Sequence, residues 1–263
     1  MYRPRIIPVL LLKNNALVKS VQFKDYKYIG DPINAVKIYN ELEADEIIFL
    51  DIEATKNGEY VDIQLVKDIG EEANMPFGVG GGISTLNQIE QLIHAGAEKV
   101  VICTEAIKRP EFIREASDAF GSSTISVCLD FGKSFFGKTK LFSHSGKKSH
   151  ALNTLEFAKK MEDFGAGELI LQSIDFDGKM NRYNPDVSIE IAQNVTIPVT
   201  ILGGAGSLKH IHELNEKFTF NGYAAGSMFV YQGNQRGVLI NYPSKDEKES
   251  VFKSIEKNNF VKS

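Results

Sequence analysis

Two glycine-rich turns, each followed by a hydroxyl residue, are the clearest candidate ligand-binding features of this 263-residue chain. After Gly80-Gly81-Gly82, Thr104 lies 22 residues beyond the last glycine. After Gly203-Gly204-Ala205-Gly206, Ser227 lies 22 residues beyond the alanine. Glycine lets backbone N–H groups approach an anion closely, and a helix N-terminus behind the turn adds a favourable dipole. The pattern predicts two phosphate cradles, for a ligand with a phosphate at each end or for two charged partners.

Carboxylates that follow apolar runs are candidates for proton transfer. Asp130 ends one such run and could act as a general acid or base, or could cap a loop. Asp51 and Asp175 end two others, and Asp177-Gly178 follows closely. These aspartates could hold substrate hydroxyls or orient a phosphate loop, although Asp177-Gly178 equally fits an ordinary turn.

Four charged residues mark the opposite ends of the apolar runs. Each begins a run, and they comprise two cations and two anions: Arg5, Glu46, Lys99 and Glu168. If the runs are neighbouring parallel strands, these side chains can converge into a salt-bridge ring. The ring could be a charged plug, since that end of a barrel usually serves stability. It could equally be a gate for a small molecule.

Lysines provide a further set of candidate anion contacts. The segment 131–150 carries lysines with aromatic residues between them, at positions 133, 138, 140, 147 and 148. It is interpreted as a mobile hairpin over the site, or as a solvated loop. Lys19, predicted to lie in the loop after the first apolar run, could also contact phosphate or carboxylate.

Eight apolar runs alternate with amphipathic segments, which is the pattern of a parallel sheet with right-handed helical crossovers. The predicted strands are 5–11, 46–51, 76–80, 99–103, 124–130, 168–173, 197–203 and 222–226. The predicted helices are 31–43, 60–73, 84–95, 107–119, 151–164, 184–194, 207–217 and 245–258. We therefore predict an α/β fold, a (β/α)8 TIM barrel, with an open doubly wound sheet as the alternative.

An internal repeat supports closure into a barrel. Residues 44–49 resemble 166–171 at an offset of 122, and 6–11 align with 125–130 at an offset of 119. We predict one domain, 1–263, built of half-barrels at about 1–122 and 123–230, with a C-terminal extension and last helix at 231–263. In this alignment Leu11 is the partner of Asp130. If the two halves once carried paired carboxylates, the first is missing here, and a lone aspartate cannot divide acid and base roles with Leu11.

Composition excludes several classes of protein. Hydrophobic residues make up 43% of the chain, enough for a full core, and the net charge of −4 gives no basic signature for nucleic acid. No signal sequence or membrane-spanning run is evident, and Cys103 and Cys128 fit reduced core residues, so a cytoplasmic location is expected. His210 and His212 lie two residues apart on a predicted helix and cannot share one face, so no metal site is expected. No cofactor is expected either.

Combined motifs resemble the cyclase (HisF-type) subunit of imidazole glycerol phosphate synthase over about residues 5–230. They are Arg5-Ile6-Ile7-Pro8, Phe49-Leu50-Asp51-Ile52, Val79-Gly80-Gly81-Gly82-Ile83, Ser145-Gly146-Lys147-Lys148, Ser173-Ile174-Asp175-Phe176-Asp177-Gly178 and Gly203-Gly204-Ala205-Gly206. The resemblance implies a (β/α)8 barrel that receives ammonia from a glutaminase (HisH-type) partner docked on its floor. The family reaction is a lyase and cyclase step of histidine biosynthesis, which yields imidazole glycerol phosphate and AICAR from a bisphosphate.

The resemblance also implies roles for residues. Gly82 and Thr104 would form one phosphate site. The other would comprise Gly178, Gly204, Gly226 and Ser227. The four charged residues that begin apolar runs would be the ammonia gate, and Asp130 would be one of two catalytic aspartates.

Three positions depart from the family pattern. Leu11 replaces the second catalytic aspartate, Cys103 replaces an asparagine and Lys179 replaces a threonine. A positioned acid–base group contributes about 10²–10⁴-fold to rate, so cyclase activity should fall by orders of magnitude.

A subgroup of relatives (WbuZ-like) shares the Pro-Val-Leu-Leu-Leu-Lys-Asn start and a tail like that at 233–243. The resemblance to this subgroup implies a subunit that works with a glutaminase and a sugar amidotransferase to form acetamidino sugars of surface polysaccharide or flagellar glycan. The leading hypothesis is therefore ammonia delivery for sugar amidination. The alternatives are a histidine-pathway cyclase, and a non-catalytic scaffold that activates the glutaminase.

Overall fold

Eight parallel strands close into a barrel in the computed structural model, which describes residues 3–134, 137–233 and 235–253. The strands are, in order around the ring, β1 (Arg5–Lys13), β4 (Ile47–Asp51), β5 (Phe77–Gly80), β6 (Lys99–Ile102), β7 (Ile125–Lys133), β10 (Glu168–Ser173), β11 (Val199–Leu202) and β12 (Gly222–Ala225). The last strand pairs with the first, in parallel. This confirms the predicted (β/α)8 barrel and rules out the open sheet.

Helices connect the strands on the outside of the barrel. They are α1 (Pro32–Glu41), α2 (Ala54–Asn57), α3 (Ile63–Glu72), α4 (Leu86–His94), α5 (Thr104–Lys108), α6 (Glu111–Phe120), α7 (Thr154–Asp163), α8 (Pro185–Ala192), α9 (Leu208–Asn215) and α10 (Lys245–Phe252). The predicted helix 107–119 is two helices, because Pro110 drives Arg109 into an extended backbone. The end of the predicted helix 245–258 lies beyond the described residues. None of the described helices is both long and apolar enough to cross a membrane.

Antiparallel hairpins follow two barrel strands. One, β2 (Ala16–Val21) with β3 (Lys24–Gly30), pairs with β1 and was not predicted. The other, β8 (Thr139–Ser143) with β9 (Lys148–His150), pairs with the extended end of β7 and lies where a hairpin was predicted. A short pair, β13 (Tyr231–Gln232) with β14 (Gly237–Val238), follows the last barrel strand. Both barrel hairpins extend from the carboxyl ends of their strands, at the mouth of the barrel.

The barrel interior is packed with apolar side chains between its two ends. Alternate residues of the strands point inward, and those of every barrel strand except β5 form one buried cluster: Ile7, Val9, Ile48, Val101, Cys128, Ile170, Leu202 and Ala224. The outward residues of the same strands pack against the helices in a second, larger cluster. We call the first cluster the middle layer, because it separates charged side chains at the floor from polar ones at the mouth.

The C-terminal segment returns to the barrel floor. The Tyr242 hydroxyl donates to the Ile6 carbonyl at 2.7 Å and accepts from the Asp45 N–H at 3.0 Å. Lys248 Nζ lies 2.9 Å from the Asp45 carboxylate. These contacts tie α10 to the amino ends of β1 and β4, next to the residues that begin those strands.

Candidate active site at the barrel mouth

A cavity of about 250 Å³ opens at the carboxyl ends of the strands, where barrel active sites lie. Nine of the predicted site residues line it: Leu11, Lys19, Asp51, Gly82, Thr104, Asp130, Asp177, Gly226 and Ser227. Three predicted phosphate-binding glycines, at positions 178, 203 and 204, are not part of its lining. The structure therefore brings most of the predicted residues around one space.

The first glycine turn has a backbone that other residues adopt poorly. Gly82 has φ of +67°, and a Cβ there would overlap the carbonyl oxygen of Glu59. Thr104 begins α5 beside this turn, and its Oγ1 accepts from the His144 N–H at 3.1 Å. Ser145 Oγ also donates to the Ile52 carbonyl at 2.8 Å. The turn between β8 and β9 thus crosses this side of the cavity and contacts the predicted phosphate site.

The second side of the cavity is formed by Gly226 and Ser227. Ser227 begins a short 3-10 helix, Ser227–Phe229. The ammonium group of Lys19 lies beside Gly226 and donates to the Val9 carbonyl. Burial lowers the pKa of Lys19 to about 8, although the nearby Asp177 opposes this shift. A cation at this position can attract an anionic ligand, and it can lose its proton at mildly alkaline pH.

The three glycines outside the lining shape the loops behind the second side. Gly203 and Gly204 have φ of +101° and +109°. The Gly204 carbonyl accepts from the Arg182 N–H at 3.0 Å. Direct ligand contact by these residues therefore stays a prediction, and the structure gives them a role in loop conformation.

Asp130 is the buried acid of the cavity. Cys103 Sγ lies 3.6 Å from its Oδ2, and Cys128 Sγ lies 3.6 Å from its Oδ1. Burial raises the pKa of Asp130 to about 7; the thiol hydrogen bonds oppose this, and the charge of Asp177 adds to it. A group with this pKa can both give and take a proton near neutral pH. Leu11, which lines the same cavity, cannot.

Two further predicted aspartates line the cavity, Asp51 and Asp177, and both are engaged with the protein. Asp51 Oδ1 accepts from the N–H groups of Glu53 and Ala54 at 2.8 and 3.0 Å, which stabilises the turn into α2. Asp177 accepts from Gln172 Nε2 at 3.2 Å. Burial raises the pKa of both carboxyls.

Several lining residues were missed by the sequence analysis, and one predicted set lies elsewhere. Gln172, Ser145 and Lys108 line the cavity, as do both cysteines. The five lysines predicted over the site, at positions 133, 138, 140, 147 and 148, are not part of the lining. Alternation along β7 places Cys128 on the same face as Asp130, so this signal was present in the sequence.

The four charged residues at the floor form a closed ring of alternating charge. Arg5 donates to Glu46 and, at 2.6 Å, to Glu168. Lys99 Nζ lies 3.0 Å from Glu46 and 2.9 Å from Glu168. Thr200 Oγ1 also donates to Glu168 at 2.6 Å. We call Arg5, Glu46, Lys99 and Glu168 the floor ring.

The charges of the floor ring stabilise one another against burial. Burial acts to raise the pKa of Glu168, but Lys99 and Arg5 outweigh it, so the pKa lies below its usual value. Burial likewise acts to lower the pKa of Arg5, and the two glutamates raise it overall. Every charge of the floor ring is thus paired within the ring.

Several known proteins are similar to this chain over most of its length. A family model described as "Histidine biosynthesis protein" matches residues 5–236. A protein of Leptospira borgpetersenii, provisionally named imidazole glycerol phosphate synthase subunit HisF, is 44% identical over 96% of this chain and 100% of its own length. A Vibrio vulnificus protein with the provisional subunit name hisF3 is 43% identical over 96% of this chain and 97% of its own. A Clostridium botulinum protein named imidazole glycerol phosphate synthase subunit HisF is 36% identical over 94% and 98%.

Proposed function

Because the chain belongs to the histidine biosynthesis protein family as a HisF-type subunit, we propose that it takes ammonia from a glutaminase partner and serves the formation of an acetamidino sugar. The ammonia enters at the floor ring and crosses the middle layer. The sugar is a component of surface polysaccharide or flagellar glycan, and a separate amidotransferase uses the ammonia.

The observation that carries the proposal is Leu11 at the mouth. The cavity retains a buried acid, Asp130, and hydroxyl and glycine residues on two sides. Leu11, which also lines the cavity, supplies an alkyl group where the family resemblance implies a carboxylate. A lone acid cannot divide the acid and base roles of a two-carboxylate mechanism. The histidine-pathway reaction should therefore be slower by about 10²–10⁴-fold.

The floor ring supports the glutaminase part of the proposal. Its residues lie at the amino ends of the strands, away from the mouth, and their charges are mutually satisfied. Burying such a ring costs desolvation energy that apolar packing would avoid. A role in passing ammonia accounts for its presence. Lys99→Ala should uncouple glutamine hydrolysis from product formation in the assembled complex, and unchanged coupling would contradict the gate.

A histidine-pathway cyclase is the second candidate, and one observation favours it. Asp130 has a pKa near neutrality, and Thr104 and Ser227 of the two predicted phosphate sites line the same cavity. In this alternative Asp130 moves both protons in turn, as acid and then as base.

Turnover by the chain alone separates the two candidates. The purified protein is given the histidine-pathway bisphosphate and excess ammonium salt, beside Leu11→Asp as the matched variant. We expect the unchanged chain not to turn over the bisphosphate at the rate usual for the family, and we expect Leu11→Asp to turn it over faster than the unchanged chain does. Turnover by the unchanged chain at such a rate would overturn the proposal.

A genetic test addresses the sugar directly. Deletion of the gene should leave growth without histidine unchanged and remove acetamidino groups from the surface glycan. Histidine auxotrophy together with an intact glycan would instead establish the cyclase.

A further inference from the structure

Two cysteines face one carboxylate at the boundary between the middle layer and the mouth. Strands β6 and β7 pair in parallel, with Ile102 opposite Val127. The next residue of each chain segment is a cysteine, so Cys103 and Cys128 follow in the same register. Cys128 belongs to the middle layer and Cys103 packs against it. Both cysteines line the cavity. They are therefore neighbours on one inward-facing surface.

The positions suit a bond between the two sulfur atoms. Paired strands lie about 4.8 Å apart, within the range of roughly 4.4–6.8 Å between Cα atoms that disulfides require. The sulfur atoms lie 3.6 Å from the two oxygens of the same carboxylate, that of Asp130. Each thiol also shifts the pKa of the other, as neighbouring groups do.

We propose that Cys103 and Cys128 form a reversible disulfide when a peroxide enters the cavity, and that this bond removes both thiol donors from Asp130. The sulfur of Cys103 attacks the peroxide and becomes a sulfenic acid, with release of one water. Cys128 then attacks that sulfur, and a second water leaves as the S–S bond forms. Two thiols are oxidised by two electrons in total, and the peroxide is reduced.

Access and protonation determine how fast this happens. Cys103 is partly exposed and Cys128 is buried, so the first attack belongs to Cys103. The contact with Cys128 acts to lower the pKa of Cys103, but burial and Asp130 raise it overall. Because the thiolate is the nucleophile, the reaction is slow at neutral pH and accelerates as pH rises.

The bond has a consequence for Asp130. Hydrogen bonds from the two thiols lower the pKa of this carboxyl, while burial raises it. Once the thiols are joined, burial acts without that opposition, and Asp130 stays protonated at neutral pH. Any effect on turnover rests on the proposed function, whereas the bond itself does not.

Thiol counting tests the bond without an activity assay. The chain has two cysteines in all. The folded protein is treated with hydrogen peroxide, the peroxide is removed with catalase, and free thiols are counted after denaturation. We expect two thiols to become none in a monomer whose mass falls by two hydrogen atoms, and dithiothreitol to restore both. Cys103→Ser and Cys128→Ser are the matched controls, which lack the partner thiol and should form no intramolecular bond.

Other products would overturn the proposal. Two free thiols remaining after a treatment that oxidises the urea-unfolded chain would show that the folded site does not react. Disulfide-linked dimers, or a sulfinic acid on one cysteine, would show that the sulfur atoms do not meet. Carboxyl carbon NMR tests the consequence: the pKa of Asp130 should rise on oxidation, and an unchanged value would refute its dependence on the thiols.

Discussion

Replacing Lys99 with methionine is the most direct perturbation of the floor ring. Methionine keeps a similar length and removes the charge, which leaves Glu46 and Glu168 to share Arg5. The two glutamate side chains are 3% and 7% exposed, whereas that of Lys99 is 21% exposed. Removing one partner of a buried pair costs about 3–5 kcal/mol. The partial exposure of Lys99 favours the lower end, about 3 kcal/mol.

This cost converts into a shift of the melting temperature. An unfolding entropy of about 2.1 cal/mol/K per residue gives roughly 0.55 kcal/mol/K for a chain of this length, so Lys99→Met should lower Tm by about 5 °C. Calorimetry at neutral pH measures the shift. The matched control is Lys209→Met, because Lys209 is 78% exposed and lies 3.6 Å from Glu213 on one helix. Loss of that exposed pair should cost under about 1 kcal/mol.

The pH dependence sharpens the test. In the unchanged protein the pKa of Glu168 lies below its usual value, chiefly because Lys99 and Arg5 overcome the effect of burial. A carboxyl of this kind contributes stability above its unfolded pKa and loses it as pH falls through its folded pKa. The difference between Lys99→Met and the unchanged protein should therefore shrink on acidification. A Tm loss no larger than that of Lys209→Met, or a difference that widens in acid, would refute this account.

Three further predictions concern the mouth and the C-terminal segment. Asp130→Asn should raise the free energy of unfolding above neutral pH by as much as about 4 kcal/mol. The reason is that the pKa of Asp130 is raised from 3.8 to about 7, so the native state loses stability as pH rises between those values. Urea melts across pH measure the difference between the variant and the unchanged protein, and a difference that does not change with pH would contradict the prediction. Gly82→Ala should lower the free energy of unfolding more than Gly121→Ala does in the same melts, because both glycines have positive φ but only Gly82 has neighbouring atoms that a Cβ would overlap. Equal losses of stability in the two variants would contradict this reasoning. Tyr242→Phe should cost about 1–3 kcal/mol by leaving buried backbone groups unpaired, whereas Tyr28→Phe, at a side chain 70% exposed, should be neutral in thermal melts.

Much of the fold follows from simple patterns in the chain. The barrel strands are apolar runs of regular spacing, so all eight could be predicted within a few residues. The hairpin of β2 and β3 could not, because Lys24–Gly30 is largely exposed and polar and lacks the alternation of a half-buried strand. Its pairing with β1 also extends that strand to Lys13, beyond the predicted end.

Site residues at strand ends could be predicted from the sequence. Those whose positions depend on the pairing register of neighbouring strands were harder to predict. Asp130 and Thr104 follow apolar runs, and the closed barrel turns such residues to one mouth. The neighbouring positions of Cys103 and Cys128 depend on the pairing of β6 with β7, which only the structure gives. The cavity contacts of Lys19 likewise depend on the hairpin that carries it. The sequence placed this lysine in a loop, and the structure places it on β2.

The layered interior explains how one end of such a barrel can change while the other does not. The floor ring satisfies its charges within itself, and the middle layer of apolar side chains lies between it and the mouth. Effects of substitutions that share no partners are close to additive. A substitution at Leu11, which lines the cavity at the mouth, is therefore expected to leave the ring undisturbed. This separation supports the proposal that the subunit keeps a route for ammonia at its floor and supplies a different acceptor.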